Sequence, residues 1–142
     1  MYEPYTRQPL PSKEYRELLG TALCVFNANN AFVVENILRV SGSSCNWYDL
    51  IDLPSGALKK IVKDTIAKKT NVDMAGKFSM LVQMRNRIVH SYQVTYEGEQ
   101  ILSTLVKSSH QQFHITKEYL MDFIQKNEEL CSLLHDFRTV NS

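Results

Sequence analysis

The residues best suited to chemistry lie in "RNRIVHSYQ", residues 85–93, which follows the apolar stretch "MAGKFSMLVQM". Histidine gives and takes protons near neutral pH, and arginine offers a fixed fork of donors for a phosphate or a phosphorane charge. Together they suit cleavage of RNA through its own 2′-hydroxyl, which requires a base, an acid and charge stabilisation. No carboxylate cluster accompanies the stretch, which disfavours a metal-dependent nuclease and predicts no metal and no cofactor.

Arg85 and His90 occupy different sides of the predicted helix. Because each residue of an ideal helix turns about 100°, Arg85 falls in the middle of an apolar stripe, and His90 lies roughly 140° away from it. An unpaired guanidinium is costly to bury, so Arg85 either meets an anion or lies where the stripe is not core. The two groups reach one phosphate if the helix unwinds at its end, or if two copies face each other across a two-fold axis.

The other residues of the stretch form two further groups. Asn86 and His90 continue a polar ridge that begins at Ser79 and Gln83, with neighbours three or four residues apart. Arg87 points away from Arg85. A simpler interpretation of the stretch is a histidine that caps the helix and an arginine at an interface.

The elements that position these residues are mainly helical. Residues 1–11, with three prolines, predict an extended arm, and residues 12–142 predict a single domain. Ser12, Ser55 and Thr116 are expected to cap helices that run to about residues 40, 69 and 138, and a further helix spans about 74–90. "ILSTLVK" and "QFHIT" predict a small antiparallel hairpin before the last helix. The fold class is therefore an all-α bundle of four to five helices with an inserted β-hairpin.

Composition sets the broad limits. The chain has 142 residues, 44% hydrophobic and 22% charged, which fits one domain with a sizeable core. Three cysteines without a C-x-x-C pair favour a reducing compartment, and Cys24 and Cys131 fall in helical patterns where a thiol usually packs as an apolar group. The N-terminus has no basic start, and no apolar run approaches the length of a membrane span. We therefore expect a cytoplasmic protein without a membrane partner.

A basic segment precedes the stretch. The net charge is only +1, so binding of nucleic acid must depend on a local patch. Lys59, Lys60 and Lys63 lead such a patch, which continues to Lys77, and with Arg87 they are candidate RNA-binding residues. A solvated helix face is the alternative interpretation of these lysines.

The motif resembles that of a known family. "RNRIVHSY" is similar to the Arg-x4-His-x-Tyr motif of HEPN domains, in particular that of HEPN toxins in toxin–antitoxin modules. The resemblance implies a helical bundle that forms a homodimer, with motifs from both subunits in one cleft, and metal-independent endoribonuclease activity on RNA. It implies catalytic roles for Arg85, Asn86 and His90, and identifies Tyr92 as the tyrosine that a partner nucleotidyltransferase antitoxin modifies in some family pairs.

Two functions follow as hypotheses. The first is a HEPN-type ribonuclease of the toxin or antiviral defence type, with an active site shared across a homodimer. The second is a non-catalytic HEPN-like module that binds nucleotide or RNA, or that serves as a scaffold for a nucleotidyltransferase or another defence protein.

Overall fold

The computed structural model describes residues 1–142 and contains five α-helices and one three-stranded antiparallel sheet. The helices are α1 (Lys13–Ser41), α2 (Trp47–Ile51), α3 (Ser55–Asp64), α4 (Met74–Val89) and α5 (Lys117–Val140). The strands are β1 (Ser91–Tyr96), β2 (Glu99–Val106) and β3 (Gln111–Ile115), in the order β1-β2-β3. Single 3-10 turns span Glu3–Tyr5, within the arm predicted to be extended, and Ile66–Lys69. The predicted all-α bundle with a hairpin is confirmed in part, since the chain is mostly helical, with five helices, but carries a three-stranded antiparallel sheet.

The helix starts follow local hydrogen bonding. The predicted caps are confirmed at Ser12, whose Oγ accepts the N–H of Tyr15 at 3.1 Å, and at Thr116, whose Oγ1 accepts the N–H of Tyr119 at 3.0 Å. Both caps satisfy a backbone donor that the first turn of a helix leaves unpaired.

The helix predicted to begin after Ser55 and to end at about residue 69 corresponds to α3, and the prediction is wrong at both ends. Ser55 is the first helical residue rather than the cap, and its hydroxyl donates to Oδ1 of Asn30 on α1 at 3.0 Å. The helix stops at Asp64 because Thr65 leaves the helical conformation, with its hydroxyl donating back to the carbonyl of Ile61 at 2.6 Å. The remaining predicted turns form the separate 3-10 turn.

Helices α1 and α5 lie side by side and run in the same direction. Near their starts, Lys117 Nζ lies 2.8 Å from Glu14 Oε2, and near their ends Arg138 Nη1 lies 3.7 Å from Glu35 Oε1. Between these ion pairs, the buried amide of Asn29 donates to the carbonyl of Asn127 at 2.7 Å and to its Oδ1 at 3.1 Å. Asn29 therefore interrupts the apolar face of α1 with a buried polar contact to α5.

A tyrosine in the first turn of α1 attaches the sheet to the bundle. The hydroxyl of Tyr15 accepts the N–H of Leu102 on β2 at 3.1 Å and donates to the carbonyl of Ile115 on β3 at 2.5 Å. The ring is 1% exposed, and burial raises the pKa of Tyr15 above its usual value. The sheet is thus fixed at the end of the bundle where α1 and α5 begin.

The sheet has one strand more than the predicted hairpin. Strand β1 pairs with β2, so that Ser91 faces Thr104 and Tyr96 faces Glu99. The signal for β1 is the alternation of apolar and polar residues at Tyr92, Val94 and Tyr96. This alternation begins within the Arg-x4-His-x-Tyr motif, so its first residues are easily assigned to the end of the preceding helix, α4. Because β1 starts one residue after His90, the sheet lies directly beside the end of α4.

Two predictions about the segment that forms α1 are wrong. By length and composition alone, α1 is apolar enough to cross a membrane, so the prediction that no segment approaches that length is wrong. In this structure its large apolar side chains, such as Phe26 and Ile37, are buried in the core of the bundle. Cys24, which was expected to pack as an apolar group, is exposed on α1, and all three cysteines are unpaired.

Candidate active site and nucleic-acid interface

Arg85 is held against the core without being neutralised. Its guanidinium carbon lies 5.3 Å from the centroid of the Phe26 ring, which itself stacks on Phe78 and Phe123. Its Nε is buried without a hydrogen-bond partner, and no carboxylate forms an ion pair with it. The side chain as a whole is only partly buried, so an anion from outside can approach its guanidinium.

The apolar stripe of α4 extends beyond the core. Leu81, Val82 and Ile88 are buried, as their positions on the stripe predict, whereas Val89 is 45% exposed although it lies close to Arg85 on the same stripe. One chain therefore does not cover the end of this stripe.

His90 is the C-terminal cap residue of α4, but its imidazole does no capping. The backbone N–H of His90 donates to the carbonyl of Asn86 at 2.9 Å, and its own carbonyl has a weak contact with the Thr104 hydroxyl at 3.5 Å. The side chain is exposed and forms no hydrogen bond within the chain. It is thus accessible to a bound molecule. It is not brought together with Arg85, which packs on α1.

Asn86 and Arg87 line one side of a depression of about 510 Å³ between α4 and the sheet. Its polar lining includes Gln83, Asn86, Arg87, Lys107 and Ser108. Arg87 is fixed there, since its Nη1 donates to the carbonyl of Leu105 at 2.6 Å. The depression collects donors and positive charge next to the proposed catalytic helix, and sequence reasoning had not connected Lys107 or Ser108 with it.

Tyr92 lies on strand β1, two residues beyond His90. Its side chain is 42% exposed, and its hydroxyl donates to Oε1 of Gln112 on β3 at 3.2 Å. The phenol is therefore near the end of α4 and accessible from solvent, which a modifying enzyme requires.

Tyr119 on α5 supports the C-terminal half of α4 and was not predicted from the sequence as a site residue. Its hydroxyl donates to the carbonyl of Met84 at 3.1 Å, and its ring packs against Phe113 with centroids 5.9 Å apart. Burial raises the pKa of Tyr119 to about 12, and the charge of Arg87 opposes that rise. The phenol therefore remains a hydrogen-bond donor at neutral pH and fixes the backbone just before Arg85.

The structure separates the three lysines that were grouped as RNA-binding candidates. Lys59 and Lys63 on α3 line a second depression, of about 370 Å³, together with Ser79 and Gln83 of α4. Lys60 is exposed on α3 but does not line this depression.

No group of three or more His, Cys, Asp or Glu side chains is placed to hold a metal ion. Comparison with known proteins adds no relative, because no family model, no curated protein and no solved structure matches the chain. The likeness to HEPN domains therefore depends on the residues of the motif and remains a prediction.

Proposed function

We propose that the protein is a metal-independent endoribonuclease of the HEPN toxin or defence type, acting in the cytoplasm, whose active site is shared between two copies of the chain. One observation carries the proposal. Arg85 presents an unneutralised guanidinium, while His90, five residues later on the same helix, presents an unbonded imidazole. A partly buried cation usually has a counter-ion, so one without a counter-ion fits a site that is completed by an anion from another molecule.

In the proposed reaction, the 2′-oxygen attacks the neighbouring phosphorus and the bond to the 5′-oxygen breaks. The 2′-hydroxyl loses a proton, the leaving 5′-oxygen gains one, and the products are a 2′,3′-cyclic phosphate and a 5′-hydroxyl. His90 transfers a proton at the 2′-oxygen. Arg85 stabilises the charge of the phosphorane, and Asn86 positions the phosphate. Tyr92 is the proposed site at which a nucleotidyltransferase antitoxin silences the enzyme.

A pair of matched histidine variants tests the role of His90. Purified wild-type protein, His90→Asn and His110→Asn are incubated with RNA in the presence of a chelator, and the product ends are analysed. His110 is a suitable control because it is also exposed but lies in the turn between β2 and β3. We expect cyclic phosphate ends, a loss of about 100-fold or more for His90→Asn, as is usual for a missing acid–base group, and near wild-type cleavage for the control.

A mixing experiment tests whether the site is shared. Arg85→Ala and His90→Ala are each expected to be inactive, but mixed and re-equilibrated dimers contain one complete site if Arg85 and His90 come from different chains. Random exchange makes about half of the dimers heterodimers, and each heterodimer has one complete site out of two. The mixture should therefore show about a quarter of the wild-type activity. No recovery, with exchange verified by labelled chains, would show that both residues act within one chain.

The runner-up function is a non-catalytic module that binds nucleotide or RNA or serves as a scaffold for a partner such as a nucleotidyltransferase. The separation of Arg85 from His90 within one chain is the observation that favours it. Harmless expression of the wild-type chain, together with RNA that stays intact, would support this module. Toxicity relieved by His90→Ala would support the nuclease.

A further inference from the structure

Two surface depressions meet at Gln83 and form one groove along α4. The first is lined by Lys59 and Lys63 of α3, and the second by Arg87 of α4 and Lys107 after β2. Gln83 lines both. The two depressions are therefore parts of one surface, hereafter the α4 groove, which runs from α3 to the turn that follows β2.

The charge of the α4 groove differs from that of the whole chain. Four cations line it, and none of them forms an ion pair. The one carboxylate in the lining, Asp73, is the cap of α4, where its Oδ1 accepts the N–H of Gly76 at 2.9 Å. Four positive charges against one negative charge, in a chain with a net charge of only +1, favour an elongated anion.

The floor of the α4 groove is neutral and polar. Ser79, Gln83 and Asn86 lie three or four residues apart on one ridge of the helix, and His90 is the next position on that ridge. From Gly76 to Arg87 the helix rises about 16 Å, which accommodates about three to five nucleotides of a single strand. Neutral donors between flanking cations suit a sugar–phosphate backbone.

We propose that the α4 groove binds the backbone of single-stranded RNA and leads it to His90. This inference rests on the proposed function, which supplies RNA as the ligand, and it adds where the RNA lies. Lys60 and Lys68 do not line the groove and are therefore not expected to bind RNA. An acidic protein segment is the less favoured occupant, because protein interfaces depend on buried apolar anchors, and only four of the residues that line the groove are apolar: Ala75, Met80, Val106 and Phe113.

The test measures binding of labelled single-stranded RNA to the full chain carrying His90→Ala, so that the RNA stays intact. Fluorescence anisotropy is recorded between 50 and 200 mM salt. In a plot of the logarithm of the binding constant against the logarithm of the salt concentration, each contact to a phosphate of a single strand contributes about 0.7 to the slope. Lys59→Ala/Lys63→Ala is expected to reduce the slope by about 1.4 and to weaken binding about tenfold at low salt. The control Lys60→Ala/Lys68→Ala removes the same charge outside the groove and is expected to change affinity less than about twofold.

A second variant and a length series make the position of the groove testable. Gln83→Glu places a negative charge where the depressions meet, on an exposed side chain, and is expected to weaken binding without loss of folding, which circular dichroism verifies. Affinity should rise with oligonucleotide length up to about five nucleotides and then level off. Equal loss in the groove and control pairs, or competition by polyglutamate as effective as by unlabelled RNA, would overturn the proposal.

The failure of this inference is distinguishable from failure of the proposed function. Cleavage by the wild-type chain with unchanged binding in the Lys59 and Lys63 variant would refute the α4 groove and leave the nuclease standing. Groove-dependent binding without any cleavage by the wild-type chain would retain the α4 groove and refute the nuclease.

Discussion

Replacing Arg85 by methionine should make the protein more stable and abolish its proposed activity. The side chain lies over Phe26, with its Nε buried and unpaired. Methionine retains an unbranched apolar stem over the ring but removes the charge and the fork of donors. If Arg85 serves a bound phosphate, the fold gains from its removal, whereas the active site loses its charge stabilisation.

The size of the effect follows from three contributions. Removing an unsatisfied buried donor gains about 1–3 kcal/mol, and loss of the cation–π contact costs about 0.5–2 kcal/mol. A sulfur–aromatic contact of methionine restores about 0.3–1.5 kcal/mol. The central values leave a net stabilisation of about 1.7 kcal/mol, which raises the Tm by about 5–6 °C for a chain of this size.

Differential scanning calorimetry and an RNA cleavage assay on the same preparations measure both effects. Arg85→Lys is the matched control, because it keeps the positive charge but lacks the planar fork that binds phosphate in two places. We expect Arg85→Lys to have a Tm near that of the wild type and reduced cleavage. A fall in Tm of more than about 3 °C for Arg85→Met, with cleavage unchanged, would identify Arg85 as a core-stabilising residue and refute its role in the site.

Three further predictions concern stability. Asn29→Ala should lower the free energy of unfolding by about 1–3 kcal/mol in urea denaturation, because Oδ1 of Asn127 is left buried without a donor; a change near zero would show that water replaces the amide. The folded state holds the proton of Tyr119 to a pKa of about 12 against an ordinary value of 10, so its contribution is complete below pH 10 and is lost as the pH rises from 10 towards 12. After solvent screening, this loss of stability is about 1–2 kcal/mol. Tyr119→Phe has no phenol to ionise, so its Tm should fall less than that of the wild type between pH 10 and 12. An equal fall in Tm for the wild type and Tyr119→Phe would contradict the prediction. His110→Gly should raise the Tm by a few degrees, since His110 has a φ of 57° that glycine adopts without strain, a gain of up to about 1 kcal/mol; a lower Tm would reveal a stabilising contact of the imidazole.

The parts of the fold that depend on local signals were predictable. Ser12 and Thr116 act as caps because hydroxyl groups there accept backbone N–H donors of the first turn, whatever the tertiary context. The end of α3 was not predictable in this way, since Lys68 and Lys69 continue a helical pattern and only the conformation of Thr65 breaks it. Strand β1 was missed because its alternation overlaps the motif, and its stability comes from pairing with β2.

The candidate site shows the same division. The helix period correctly placed Arg85 on the apolar stripe and Asn86 on the polar ridge, since both positions depend only on helix geometry. The contact of Arg85 with Phe26 and the meeting of Lys107 with Arg87 depend on how α4 packs against α1 and the sheet. Residues that come together over such sequence distances leave no periodic signal in a single sequence.

The parallel pairing of α1 with α5 has a consequence for folding during synthesis. α1 packs mainly against α5, the last helix of the chain, and the hydrogen bonds from Tyr15 to Leu102 and Ile115 join residues 87 and 100 positions apart. A nascent chain therefore carries the apolar face of α1 without its partner until α5 has left the ribosome. Such long-range closure slows folding compared with a bundle of consecutive antiparallel helices, and it makes the incomplete chain a target for chaperones. It also delays the enclosure of Phe26, the ring beneath Arg85, until α5 is available to pack against it.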